Sequence, residues 1–192
     1  MDFQISSVTS PSRQRKVHAL AHQHITGYGS PSHVKRERAT YERDLRTAFS
    51  GESVPEGDFI GTVASDSGDL IGGVIIEHCA PRPLLRSSPE TGRLYAQHHR
   101  NLSGMFVVPE YQGQGIASLL LETAYQVVRE QGARYIEGFV DIRHPQAVRV
   151  YKHAGFTVTP LNQGLPPREP TQFTIHHPSG INGYWFYRDL YQ

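Results

Sequence analysis

Gly113 and Gly115 stand between an apolar run, Met105 to Val108, and a helical one, Ile116 to Val128. Pro109 stops the first run, and the glycines free the backbone before the second, so consecutive main-chain N–H groups can face outward at the turn. The unpaired amides of a helix's first turn, together with the positive end of its dipole, hold an anion without help from a lysine. The chemistry open to this turn is therefore the binding of a phosphate group. The dinucleotide pattern G-x-G-x-x-G needs glycine where Ser118 stands, and the P-loop pattern needs a lysine that is absent nearby, so neither fits.

The elements that must hold this turn can be read on either side of it. Ile116, Leu119, Leu120, Thr123, Val127 and Val128 recur at three- and four-residue steps, which predicts a helix with one buried face that stops at Gly132. Arg134 to Val140 reads as the next strand, completing a strand, helix, strand crossover. Such units place ligands at the carboxyl ends of their strands, where the glycine turn lies. Pro145 suits the first position of a further helix, Ala147, Val150, Tyr151 and Ala154 share its inner face, and Gly155 suits its left-handed end. Phe156 and Val158 then begin a strand that Pro160 closes.

Two of these segments carry a family resemblance. Val107 to Ala117, with Gln112, Gly115 and Ala117 in the pattern [QR]-x-x-G-x-[GA], resembles the acetyl-CoA signature of the GNAT superfamily of N-acetyltransferases. Ala147 to Phe156, ending in Tyr151-x-x-x-Gly155-Phe156, resembles that family's second signature. The order and spacing of the two are more specific than either alone, and the resemblance covers roughly residues 57 to 159. It implies a single α/β (α+β) domain over residues 1–192. Its mixed central sheet would have about six or seven strands, splayed between two central parallel strands and flanked by helices on both faces.

The resemblance also implies a reaction in which an amine attacks the thioester of acetyl-CoA directly, with no covalent enzyme intermediate and no metal. The amides of Gln112, Gly113, Gln114, Gly115, Ile116 and Ala117 would hold the pyrophosphate. Main-chain groups of Phe106, Val107 and Val108 would pair with the pantetheine arm, and one amide there would polarise the thioester carbonyl. Tyr151 matches the tyrosine that assists departure of the CoA thiolate. Its ordinary pKa of about 10 lies above a thiol's of about 8.5, so the phenol can donate at neutral pH.

A base should face the acceptor amine. Many relatives carry a glutamate on the strand before the glycine turn, but Asn101 to Val108 holds no carboxylate. The candidates are Asp141 and His144 beyond the next strand, Glu77 and His78 at the end of the preceding one, and His98 or His99 before the turn-bearing strand. Asp141, at the carboxyl end of its strand beside the expected splay, leads them. His144 also stands where many relatives have an asparagine, which removes that contact. The alternative activities are transfer of another acyl group from its CoA ester and a CoA-binding module without catalysis.

Composition agrees with one globular domain: 192 residues, 38% hydrophobic, with a formal charge of +1. Cys79, the single cysteine, excludes an internal disulfide framework and reads as a small buried filler. No apolar run approaches the roughly 18 residues of a membrane span, and the N-terminus has no signal-like apolar core, which points to a cytoplasmic protein without a membrane partner. Among the eleven histidines only His18 and His22 share a helix face at ligating spacing, so no metal site is expected.

Residues 1 to 50 hold eight basic and four acidic side chains, whereas residues 51 to 80 hold six acids and no Lys or Arg. The basic part is helical in pattern, with Val17, Leu20, Ala21 and His24 on one helix and Val34, Arg38, Tyr41, Leu45 and Phe49 on a second. A modest basic excess on helices is a solvated face rather than a nucleic-acid site. The acidic part predicts a hairpin, Phe59 to Ala64 and Leu70 to Glu77, turning at Asp66 to Asp69; its acids include Glu52 and Glu56 upstream. Two proline-bearing stretches, residues 80–100 and 160–183, read as long loop insertions that carry specificity for a small-molecule or protein amine. Tyr184 to Leu190 suits a last strand, at an edge or in a homodimer contact.

Overall fold

The structure, a computed structural model, describes residues 3–25, 31–49, 58–78, 86–171, 174–175 and 182–191, with side chains at all of these except 31, 33 and 34. The expectations placed on Glu52, Glu56 and Cys79, on residues 80–85, 172–173 and 176–181 of the two proline-bearing stretches, and on the side chain of Val34, lie outside this set.

Among the described residues the elements run β1 (Ile5–Ser7), α1 (Pro11–His24), α2 (Pro31–Phe49), β2 (Phe59–Ala64), β3 (Leu70–His78), α3 (Pro89–His98), β4 (His99–Val107), α4 (Ile116–Glu130), β5 (Tyr135–Asp141), α5 (Pro145–His153), β6 (Thr157–Val158) and β7 (Gly183–Asp189). They build one mixed sheet in the order β1-β2-β3-β4-β5-β7-β6. Only the central β4–β5 pair is parallel, and a helix must cross between two such strands. That helix is α4. It lays Ile116, Leu120, Leu121, Ala124, Tyr125 and Val128 on the face of the sheet that carries Val63, Val74, Ile76, Leu102 and Ile136. Its buried stripe is rotated slightly from the expected one, leaving Leu119 36% exposed.

Helices α1 and α2 cover the opposite face. Val17 and Ala21 of α1 meet Ile60, Ile75 and Phe106, while Leu45, Ala48 and Phe49 of α2 meet Tyr95 and Ala96 of α3. The β2–β3 hairpin and the helix and strand boundaries around the glycine turn agree with the sequence reading to within a residue or two.

Three expectations change. Residues 80–100 are not one long loop, because Pro89 starts helix α3 at a position where its missing N–H costs nothing. Within the stretch 160–183 the described residues 160–171 and 174–175 are packed: Leu165 and Ile175 exchange main-chain hydrogen bonds of 2.8 and 3.0 Å, and Leu165 is buried. β7 is not an edge strand. It pairs with β5 along its whole length and with β6 at Phe186 and Tyr187, so it offers no free ladder to a second copy. The short edge strand β1 has no counterpart in the sequence reading.

Gly138 in β5 leaves room for the ring of its β7 partner Phe186. A Cβ there would collide with the Phe186 ring and come within 2.9 Å of the Leu102 carbonyl oxygen. Gly138→Val is therefore expected to destabilise the fold by about 1–3 kcal/mol, the usual cost of overpacking, as measured by urea unfolding.

Candidate functional site

The parallel ladder between β4 and β5 is short. It pairs His99 with Tyr135, Arg100 with Ile136 and Asn101 with Glu137; beyond these, β4 continues to Val107 and β5 to Asp141 with no pairing between them. The register of β3 against β4 passes from Ile75–Gly104 to Ile76–Leu102, leaving Ser103 as an extra residue. Such a bulge bends its strand, and here the bend lies where the gap begins. The sheet is thus split from Asn101 and Glu137 outward along its two central strands.

One wall of the gap is the free edge of β4. Val108 donates its N–H to Ile71 at 2.8 Å, and the alternation of an antiparallel ladder turns Phe106 toward β3 as well. The groups that face the gap are therefore those of Met105 and Val107, not those of Phe106 and Val108. The Val107 carbonyl accepts a hydrogen bond from Gln112 Nε2 at 3.0 Å, which ties the strand end to the turn.

The turn itself sits at the mouth of the gap. Pro109–Tyr111 form one turn of 3-10 helix, and Gln114 Nε2 donates to the Glu110 carbonyl at 3.4 Å. Gly113 and Gly115 have φ of 77° and 83°, the left-handed region that side chains disfavour, and nothing lies within 4 Å of where a Cβ would stand on either. Gly115 is the N-cap of α4, and the first bond there runs from Leu119 N–H to its carbonyl at 3.1 Å. The amides of Ile116, Ala117 and Ser118 consequently have no acceptor within the helix. The Ile116 side chain is buried in the core, so this residue has only its amide to offer.

The family model described as "Acetyltransferase (GNAT) family" matches residues 19–156, more than half of the chain. The chain belongs to the GNAT acetyltransferase family. A mycothiol acetyltransferase of Propionibacterium freudenreichii is 26% identical over 107 residues, covering 50% of this chain and 34% of that one. An acetyltransferase of Agrobacterium fabrum, Atu2258, is 31% identical over 54% of this chain and 64% of its own. The chain thus spans about a third of the mycothiol enzyme's length.

Among solved GNAT structures, a phosphinothricin acetyltransferase from Sinorhizobium meliloti in complex with AcCoA aligns with a TM-score of 0.61 at 12% identity, covering 98% of this chain and 89% of that one. The ribosomal-protein-S18-alanine N-acetyltransferase from Escherichia coli aligns with a TM-score of 0.59 at 14% identity, covering 100% and 96%. Both share the GNAT fold, and the mixed seven-stranded sheet is the expected one.

Within this GNAT frame the candidate side chains take distinct places. Glu77, Asn101 and Glu137 form one row across the sheet, in register at the last paired position before the split, on the face covered by α1, α2 and α3. Glu77 is partly buried. Burial pushes its carboxyl up, a hydrogen bond with Ser103 pulls it down, nearby Asp58 raises it again, and Arg38 Nη1, 3.8 Å away, lowers it. Arg38 itself is held by Glu42 at 3.0 Å and by Asp58.

Tyr151 lies on the other face. Its ring stacks on Phe186 at 3.8 Å and meets Phe156 edge-on at 5.8 Å, and Phe186 is the β7 partner of Gly138 beside the gap. Burial raises the Tyr151 hydroxyl well above an ordinary phenol, so it stays protonated.

Asp141 does reach the carboxyl end of β5, but Arg143 claims it. The carboxylate accepts the Arg143 N–H at 2.8 Å, Nε at 2.9 Å and Nη2 at 2.6 Å, and these bonds bring its pKa down to about 2. So weak a base is a poor acceptor of an ammonium proton. His144 is the N-cap of α5, and among the described residues its buried Nε2 has no hydrogen-bond partner. His78 Nδ1 lies 3.1 Å from the Ala96 carbonyl. His98 precedes β4, with its pKa lowered by burial and by Arg134.

His99 and Glu137 are joined by a buried hydrogen bond that sequence reasoning missed for Glu137, because an acid in Tyr-Ile-Glu-Gly-Phe-Val reads as a solvent-facing strand position. Among the described residues no group of three His, Cys, Asp or Glu could hold a metal ion, and no helix is long and apolar enough to cross a membrane.

Proposed function

We propose that the chain transfers an acetyl group from acetyl-CoA to a primary amine of a small molecule or a protein. The observation that carries this reading is the split between β4 and β5 with an amide-rich turn at its mouth. A pantetheine arm fits the gap as a missing strand, bonding to the Met105 and Val107 main chain, while the pyrophosphate meets the amides from Gly113 to Ser118. The thioester then reaches the vertex near Ser103, where the Met105 N–H would polarise its carbonyl.

Glu77 on one face and Tyr151 on the other bracket that vertex. The neutral amine attacks the carbonyl carbon, its proton becomes acidic as the N–C bond forms, and Glu77 takes it. The C–S bond breaks and the electron pair leaves on sulfur. Because the Tyr151 phenol holds its proton more tightly than a thiol does, it stabilises the thiolate by hydrogen bonding rather than by full transfer. Tyr151→Phe is accordingly expected to slow turnover about tenfold, the worth of one hydrogen bond, with acetyl-CoA affinity unchanged.

The test is release of free CoA from acetyl-CoA with ethanolamine, spermidine, lysine and a peptide with a free N-terminus, each assayed alone. Acceleration by at least one of them supports the reading. Tight acetyl-CoA binding with no amine accelerating release would leave a CoA-binding module instead.

A further inference from the structure

The acetyl-transfer reading leaves one buried constellation without a task. Glu137 is 1% exposed; its Oε1 accepts the Tyr95 hydroxyl at 2.7 Å, and its Oε2 lies 3.1 Å from His99 Nδ1. His99 is fully buried, with its ring 3.7 Å from that of Tyr95 and 4.6 Å from that of Tyr135. On its other side Nε2 meets the main-chain carbonyl of Glu169 at 2.7 Å. A carbonyl can only accept, so Nε2 carries a hydrogen and donates it. One further proton is shared between Nδ1 and Oε2, and wherever it sits the pair is neutral overall. Polar groups this deep are costly unless each is bonded, and here each is.

The constellation joins the vertex of the split to a strap. Glu137 belongs to the last parallel pair before the gap, in the same row as Glu77. Glu169 belongs to residues 160–171, which lie over the same face: Leu165 bridges to Ile175, and Ile175 packs on the cluster of Leu45, Phe49 and Tyr95. Beside Glu169, Arg168 donates to Asp189 at 2.6 Å and lies 4.0 Å over the Tyr187 ring.

We propose that His99, oriented by Glu137 and Tyr95, is a positioning residue that locks the strap of residues 160–171 over the acceptor side of the gap and so sets the shape of the amine pocket. This rests on the reading that the acceptor approaches on the face of Glu77. A proton relay is the rival role, but the geometry gives it no outlet: Nε2 ends on a peptide carbonyl, which passes no proton onward.

Two variants separate the roles. In Glu137→Gln the amide oxygen still accepts from Tyr95 and the amide nitrogen donates to Nδ1 of neutral His99, so the tie to Glu169 survives. In His99→Phe combined with Glu137→Gln the ring stack is kept, no buried charge is left behind, and the tie is lost. The first measurement needs no substrate: amide exchange at Leu165, Thr171 and Ile175, whose N–H groups bond at 2.8, 2.7 and 3.0 Å.

The double variant is expected to exchange there about tenfold faster than the parent, with α4 amides unchanged. With acetyl-CoA and the fastest amine of the panel, its acceptor KM is expected to rise about tenfold while kcat and acetyl-CoA KM stay within about twofold. Glu137→Gln alone should match the parent throughout, and His99→Gln in the Glu137→Gln background, which can still donate to Glu169, should restore protection. Parental exchange in the double variant would overturn the proposal, as would a loss of kcat in Glu137→Gln with the strap still protected. If no amine turns over, the acetyl-transfer reading fails, and the exchange result still decides whether His99 holds the strap.

Discussion

Gly115→Glu is expected to abolish acetyl-CoA binding, with no saturation at about a hundredfold the parental Kd in isothermal titration. Gly115 has φ of 83°, and the space where a Cβ would stand is empty for at least 4 Å. Any side chain there carries a strain of about 1–3 kcal/mol. The glutamate adds a negative charge where the proposed site brings a pyrophosphate to the free amides of α4, so repulsion would replace attraction at the site of closest approach. Gly115→Ala is the companion variant: it carries the strain without the charge and should weaken binding more mildly. Parental affinity in Gly115→Glu would remove the turn from the cofactor site altogether.

Glu77→Gln is expected to lower kcat by about a hundredfold or more while leaving acetyl-CoA affinity in place, the typical cost of losing a general base. The pH profile gives the sharper reading. The reactive form is the carboxylate, present above its pKa, and burial raises that pKa above the ordinary value of about 4.3. The parental rate should therefore fall, as pH drops, earlier than an ordinary carboxylate allows, and this acid limb should vanish in the variant.

Stability moves the other way. A carboxyl with a raised folded-state pKa favours the fold below its unfolded value, and that contribution is lost as pH rises through the folded value. The glutamine variant should then be no less stable than the parent at pH 7.5, which separates lost chemistry from lost structure. An unchanged acid limb would move the base elsewhere.

The parts of the site built from local backbone rules were legible in the sequence. Gly113 and Gly115 form the open turn that was expected, here with left-handed φ, Pro145 and Gly155 bound the α5 region, and the α4 crossover joins two parallel strands. What was not legible depends on contacts between distant segments. Asp141 looked like a base from its place at a strand end, but Arg143, two residues on, turns it into an ion pair. Glu137 drew no reading at all, because its burial depends on Tyr95 and His99 closing over it, and α3 was hidden by the prolines around it. The rim of β7 was hidden too, because a chain's last strand gives no sign that it will insert between two earlier ones.

The three rungs between β4 and β5 also have a mechanical meaning. Four strands lie on one side of them and three on the other, so the sheet is two plates joined at a narrow seam, with α4 strapped across one surface. An arm of pantetheine laid into the gap would stitch the plates along the length where the protein leaves them unsewn. On the proposed reading, cofactor loading would also stiffen the sheet. An acceptor arriving at the seam would then meet a surface whose two halves the acyl donor holds together.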